Sequence, residues 1–281
     1  MAVKTSVNVA GTFQPAKNIY VNVAGTWQKT QAVYANVAGT WQRVHTPVVE
    51  IIIASSVNDY NIATAVATAL GYTPTLPVDV RVTVNSGVVV GQSYTFSGTN
   101  QNRIQTKSSL AGMQTGTLPT GSLLTLTNNG YIVGCGGQGG SFGTPNATGL
   151  NTRWAGGTAL YATYAITVIN NGTIGGGGGG GAGGDGGGGN STGGGGGAGA
   201  TVGLGGYGYS GVYNPYGTTP TLTVGGIGTH NGNNGGDLGL PGYHTPSFDG
   251  TGLVGNAGAY IVGNSLVTWT TTGTRLGVVV A

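Results

Sequence analysis

The carboxylates available for acid–base work are Glu50, Asp59, Asp79, Asp185, Asp237 and Asp249. A glycosidase needs two of them about 5 to 10 Å apart, and no two are close in sequence, so pairing them would fall entirely to the fold. His45, His230 and His244 show neither an HxH nor an HExxH spacing, so no zinc-type ligand set is predicted. His230, Asp237, His244 and Asp249 do fall within 20 residues of one another. In chain rich in Gly and Asn they are expected to be solvated or to face a ligand. Cys135, the sole cysteine, has no partner for an internal disulfide and reads as a small apolar filler between glycines. Matches to GxGxxG abound, but none sits in a strand–turn–helix unit that could cradle a pyrophosphate. The expectation is a protein without catalytic residues, metal or cofactor.

Binding chemistry is better represented. Aromatic residues concentrate in three poorly periodic stretches: SFGTPNATGLNTRW (141–154), YGYSGVYNPYG (207–217) and YHTPSFDG (243–250). Tyr is a large, rigid contact group with a polar tip, favoured where a loop must bind something. Phe142, Trp154, Tyr207, Tyr209, Tyr213, Tyr216, Tyr243, His244 and Phe248 are therefore the candidate recognition residues. A second aromatic series opens the chain, where NVAGTFQ, NVAGTWQ and NVAGTWQ begin at Asn8, Asn22 and Asn36, a period of 14. Each copy reads as short strands turning at Gly11, Gly25 or Gly39. Units this small need to stack on one another or on a partner, which makes Phe13, Trp27 and Trp41 candidate assembly residues.

The elements that must hold these groups are unusual in composition. Glycine fills 61 of 281 positions, about 22% against a usual ~7%, and charged residues supply only 5%. Ten prolines and no strict Gly-X-Y period exclude collagen. A net charge of +3 and 38% hydrophobic residues fit poorly with charge-driven disorder. The nine Lys and Arg residues are spread singly, so no nucleic-acid partner is expected. The opening MAVKTSVNVAGTFQ lacks a signal-peptide pattern, and no run of 18 apolar residues marks a membrane span.

Residues 48–54, VVEIIIA, read as a buried strand, and DYNIATAVATALG (59–71) as the single helix. Asn58 or Asp59 is placed to cap that helix, with Ile62, Val66, Ala69 and Leu70 on one face and Gly71 at its end. VDVRVTV (78–84) alternates as a half-wet strand. Beyond it, VNSGVVVG at Val84, TNNGYIVG at Thr127 and INNGTIGG at Ile169 recur at spacings of 43 and 42. Apolar strands running into Asn-Gly corners at near-constant spacing predict stacked, solenoid-like layers.

Residues 172–197 contain 19 glycines in 26 positions, in runs at 175–181, 186–189 and 193–197. Ordering them costs on the order of 25 to 50 kcal/mol of backbone entropy. Extended three-residue-per-turn glycine helices can offset it, because without side chains they pack in a lattice with N–H and C=O paired between neighbours. The fold expected is mainly β: short N-terminal β-repeats, one small helix, a layered or solenoid-like body and a packed polyglycine II domain. Its expected divisions are 1–47 as an attachment stem, 48–133 as the body, and 134–281 as the glycine-rich part with the Tyr-rich loops and C-terminal strands.

TNNGYIVGCGGQGG, ITVINNGTIGGGGGGGAGGDGGGG and the ending GNSLVTWTTTGTRLGVVVA resemble bacteriophage tail-fibre and receptor-binding proteins over about residues 20–281. T-even-type long-fibre adhesins are similar in placing variable loops on a sandwich of polyglycine helices. The resemblance implies a virion protein of the tail fibre or tail tip that binds a host outer-membrane protein or lipopolysaccharide. It also implies contact with other tail proteins and a homotrimer. This chain departs from those adhesins in carrying its own 14-residue repeats and a helix upstream. Two other classes compete. A polysaccharide-cleaving tailspike would clear a capsulated lawn, and a structural or ice-binding glycine-rich protein would show thermal hysteresis.

Overall fold

The structure, a computed structural model, describes residues 6–9, 12–15, 19–30, 32–37, 39–97, 104–140, 155–185, 191–206, 217–229, 232–243 and 254–281. Its body is a parallel β-solenoid of five rungs and three faces. The first face is a five-stranded sheet of Val48–Ile53, Asp79–Val84, Leu123–Asn128, Ile166–Asn170 and Val267–Thr271, all parallel. The second face stacks Val57–Asn58, Val89–Gly91, Tyr131–Val133, Thr173–Gly175 and Thr274–Leu276. The third stacks Tyr60–Asn61, Met113–Gln114, Leu160–Tyr161, Ala259–Val262 and Val278–Val280.

Alternation explains the core. In Asp79–Val84 and Leu123–Asn128 every second residue points inward, so Val80, Val82, Leu124, Leu126 and Val168 from the first face meet Val90, Ile132 and Ile174 from the second and Met113, Leu160 and Ile261 from the third. Burying one such side chain contributes roughly 1.5 to 3 kcal/mol. The Asn-Gly corners stack as expected, with Thr127 opposite Ile169 and Asn128 opposite Asn170. In the first copy the register is offset by one, because Val84 pairs with Asn128 and takes the inward place that Asn holds in the later rungs. Those buried asparagines form a ladder: Asn128 Nδ2 donates to Asn170 Oδ1 at 2.8 Å, and Asn170 Nδ2 to the Thr272 carbonyl at 2.7 Å.

The helix, α1, spans Ile62–Leu70 and lays Ile62, Val66 and Leu70 on the core. Two sequence expectations are corrected here. Its N-cap is Asn61, whose side chain accepts from the Thr64 N–H at 3.1 Å, not Asn58 or Asp59. Those two cannot serve, since Asn58 and Tyr60–Asn61 are strand residues and Asp59 turns the corner between them at φ 56°. Ala69 is exposed, because the buried stripe is centred between Ile62 and Leu70 and leaves Ala69 on its rim. Gly71 ends the helix in the left-handed region at φ 78°, as predicted.

Before the body come three antiparallel hairpins, Ser6–Val9 with Thr12–Pro15, Tyr20–Val23 with Thr26–Lys29, and Val33–Val37 with Thr40–His45. Their register repeats: Phe13, Trp27 and Trp41 stand opposite Asn8, Asn22 and Asn36. Asn22 and Asn36 each accept from the N–H of the turn glycine, Gly25 at 2.8 Å and Gly39 at 2.9 Å. Ala24 and Gly25 both have positive φ, 49° and 86°, the requirement of a tight two-residue hairpin turn. The turn expected at Gly11 lies outside the described residues.

Candidate functional site

Apart from α1 and the N-terminal hairpins, the long insertions leave the body at one corner, between the second and third faces. In the first rung that corner is Asp59 alone, and in the last Gly277 alone. In the second rung it widens to residues 92–112, in the third to 134–159, and in the fourth to 176–258. The outgrowth is therefore built from three adjacent rungs, a hairpin from the second and the glycine-rich chain from the third and fourth, and the strands from Leu160 to Val280 return to the body that Val48 began.

The outgrowth is ordered by backbone pairing with a three-residue beat. Gly137 and Gly140 donate to Gly178 and Gly181, Gly136 and Gly139 to Thr201 and Leu204, and Gly178 and Gly181 to Ala198 and Gly195. Gly194 and Gly197 donate back to Gly140 and Gly137, while Gly255 and Gly258 donate to Gly180 and Gly177. Residues between these donate to other neighbours, as Gly179 does to Leu240. A Cβ on any of Gly176 to Gly181 would lie closer than 3.0 Å to backbone, against the carbonyls of Gly258, Cys135, Gly236, Gly255, Gln138 and Asn233 in turn. Here glycine is required by close approach of neighbouring chains. At one side, Gly225 donates to Asp237 Oδ1 at 2.9 Å, Gly228 to Asn234 Oδ1 at 3.1 Å, and Ile227 to Thr218 Oγ1 at 2.6 Å. Side-chain acceptors thus close an edge that would otherwise present unpaired N–H groups.

A second pairing network lies at the end of the outgrowth away from the body. Gly140 donates to Gly181 at 2.8 Å, Gly194 to Gly140 at 3.0 Å, Gly206 to Gly194 at 2.7 Å and Gly217 to Gly206 at 3.4 Å. Asn233 donates to Ala182 at 3.0 Å and Tyr243 to Asn234 at 2.9 Å. Gly140, Gly206, Gly217 and Tyr243, which begin or end aromatic stretches, are joined by this network, whereas the chain returns from 141–154 at Gly156, which donates to Asn256. Of the nine candidate recognition residues, Tyr243 is described, and it is exposed. Phe142, Trp154, Tyr207, Tyr209, Tyr213, Tyr216, His244 and Phe248 lie outside the described residues. Of the assembly candidates, Trp27 and Trp41 are each 69% exposed, and Phe13 is described only as a strand residue.

Titratable groups collect at the root of the outgrowth. Asp59 accepts from the Ser93 N–H at 3.0 Å and from the hydroxyls of Ser93 and Ser109. Burial works against its charge, but these hydrogen bonds outweigh it and hold the carboxyl below its usual pKa. Burial pushes the Cys135 thiol up to about 11 and lowers Lys107. Cys135 is fully buried and donates to Gln92 Oε1 at 3.3 Å, which fits the filler role. No group of three or more His, Cys, Asp or Glu that could hold a metal occurs among the described residues. Sequence reasoning missed the hairpin Tyr94–Ser97 with Ile104–Lys107 in the second-rung corner; its Tyr-Thr-Phe-Ser and Ile-Gln-Thr-Lys alternation was the available signal.

Comparison with known proteins agrees with this architecture. A family model described as "Phage tail fibre adhesin Gp38" matches residues 48–280. A solved structure, "Crystal structure of the gp37-gp38 adhesin tip complex of the bacteriophage S16 long tail fiber", is similar in fold. It shares 24% identity at a TM-score of 0.53, with 84% of this chain and 82% of that one covered. No curated protein matches the chain. The family match takes in all five rungs and the whole outgrowth: the chain belongs to the phage tail fibre adhesin family, and it is a receptor-binding adhesin of the virion's tail fibre.

Proposed function

We propose that the outgrowth is a polyglycine II slab that presents the stretches 141–154, 207–217 and 243–250 side by side as the receptor-binding surface. The observation that carries this is the hydrogen-bonded network joining Gly140, Gly181, Gly194, Gly206 and Gly217, with Tyr243 tied to it through Asn234. The three-residue donor beat is that of the extended glycine helix, which makes no hydrogen bonds within itself and must make them with neighbours. Loops rooted in such a lattice lose little further freedom on binding. The ligand is a host outer-membrane protein or lipopolysaccharide, and protease treatment of outer-membrane fractions before a pull-down separates the two.

In this reading residues 1–47 are the attachment stem, 48–133 with the strands of 160–175 and 259–280 form the body, and the remainder of 134–258 is the adhesive slab. The stem's partner is another tail protein, in the role that gp37 holds beside gp38 in the similar complex. Exposed Trp27 and Trp41 on two-stranded hairpins support it, because two-stranded hairpins are marginal alone. Exchanging residues 207–217 and 243–250 together for those of another family member is expected to change host range and leave the melting transition in place. Unchanged adsorption across a strain panel would sink the loop assignment. Solution mass then separates one chain of 27.6 kDa that adds to a tail protein through Trp27 and Trp41 from three copies joined through the same rings.

A further inference from the structure

Three long side chains of the second-rung hairpin end on three different glycine segments. Gln105 Nε2 donates to the Gly136 carbonyl at 2.7 Å, Lys107 Nζ to the Gly156 carbonyl at 2.9 Å, and Tyr94 Oη to the Val202 carbonyl. The first segment runs out to Gly140 and the stretch 141–154, the second receives the chain back from it, and the third runs out to Gly206 and the stretch 207–216. The hairpin is itself held at its base. Ser108 N–H pairs with Ser93 O at 3.0 Å, and Asp59, fixed in the first-rung corner, takes the Ser93 N–H and both the Ser93 and Ser109 hydroxyls. Gln105 is buried, and Gln92, fully buried, donates to Ser109 O at 2.6 Å and accepts the Thr201 hydroxyl on its backbone carbonyl at 2.9 Å.

The far side of the slab is built differently. Segments 217–229 and 232–242 are closed by Asp237, Asn234 and Thr218 from within the slab, and Leu238 is buried against Val133 of the second face. A glycine chain has no side chains with which to fix its own position along its axis, so a carbonyl held by an outside donor sets where the segment sits. We infer that the hairpin Tyr94–Lys107 is a positioning element for receptor recognition: it registers the roots of 141–154 and 207–216 against the solenoid, while the root of 244–253 is registered by the slab's own acceptors and by Leu238 packed on Val133. Gln105, Lys107 and Tyr94 act through the glycine segments and touch no ligand.

This inference rests on the loop assignment above, and the test keeps the two apart. In the full chain, Gln105→Leu with Lys107→Met removes two donors at similar volume, and Tyr94→Phe alone is the milder variant should the pair fail to fold. Amide exchange is expected to quicken about 10-fold or more in 134–140 and 201–206, as local opening does when its restraints go. Amides of 232–242 and of Asp79–Val84 should stay within about twofold. Binding of the purified protein to host cells should weaken about 10-fold, chiefly in off-rate. Equal quickening in 232–242, or none in 134–140 and 201–206, overturns the positioning role. Asymmetric exchange with unchanged cell binding overturns its service to recognition. Should the parent protein bind no host cell, the loop assignment fails, and the exchange asymmetry alone decides whether the hairpin positions these segments.

Discussion

In the body, Val80, Leu126 and Ile174 fill space that side chains themselves define; in the slab, Gly177, Gly180 and Gly197 leave no space that a side chain could fill. The first region draws its cohesion from apolar burial, which is non-directional and tolerates repacking. The second draws it from backbone hydrogen bonds between chains whose separation is set by having hydrogen where others have Cβ. The difference teaches where each region can vary. A solenoid rung can change its residues and keep its alternation, whereas a slab segment must keep its glycines and can change only where it turns.

The sharpest way to break that contrast is to add methyl groups to the slab. Gly177→Val with Gly180→Val sets branched side chains against the Cys135 and Gln138 carbonyls. The cost is expected to exceed the ~1 to 3 kcal/mol of ordinary core overpacking at each site. Amide protection across 176–206 should vanish while the body strands keep theirs. Retained protection there would mean that the close approach is not what selects glycine. A smaller effect is expected in the body, where Leu126→Ala should cost about 2 to 5 kcal/mol and lower the denaturation midpoint without a change in slope. Smallest is Asn61→Ala, which removes the cap of α1 and acts through neither kind of cohesion; a loss of about 1 kcal/mol is expected by denaturant titration. If it equalled Leu126→Ala, the helix would be carrying the solenoid end, and the division into two kinds of cohesion would need a third.

Much of this was readable from residues. The Asn-Asn-Gly corners at Thr127 and Ile169 are paired in the register that their spacing implied, held by the Asn128–Asn170 hydrogen bond and by Gly130 and Gly172, where a Cβ would meet backbone carbonyls; the left-handed backbone expected of Asn and Gly there is found in neither corner. The long spacing hid the cause: each rung is short, and the extra length is the outgrowth at one corner. The third face was illegible, since Tyr60–Asn61, Met113–Gln114 and Leu160–Tyr161 are two-residue strands with no room for a period. The helix start was misplaced for the same reason, as Tyr60–Asn61 is claimed by pairing with Met113–Gln114 that no local pattern reveals. Order in the runs 175–181 and 193–197 was legible from the lack of side chains, which lets neighbouring backbones pair, and the run 186–189 lies outside the described residues; the side chains that close their edges, Asp237 on one side and Gln105 on the other, sit far away in sequence or look like ordinary polar residues.

The single-corner outgrowth has a mechanical meaning. The chain crosses between slab and body four times, at Val133–Gly134, Ala159–Leu160, Gly175–Gly176 and Gly258–Ala259. A pull applied at the loops is therefore divided among four covalent strands, each continuing into a parallel sheet that must be sheared along several hydrogen bonds before it yields. A tip hung on one linker would swing and part at its weakest bond; this one behaves as a stiff bracket, able to hold a tethered particle against drag while the grip at its far end is made or lost.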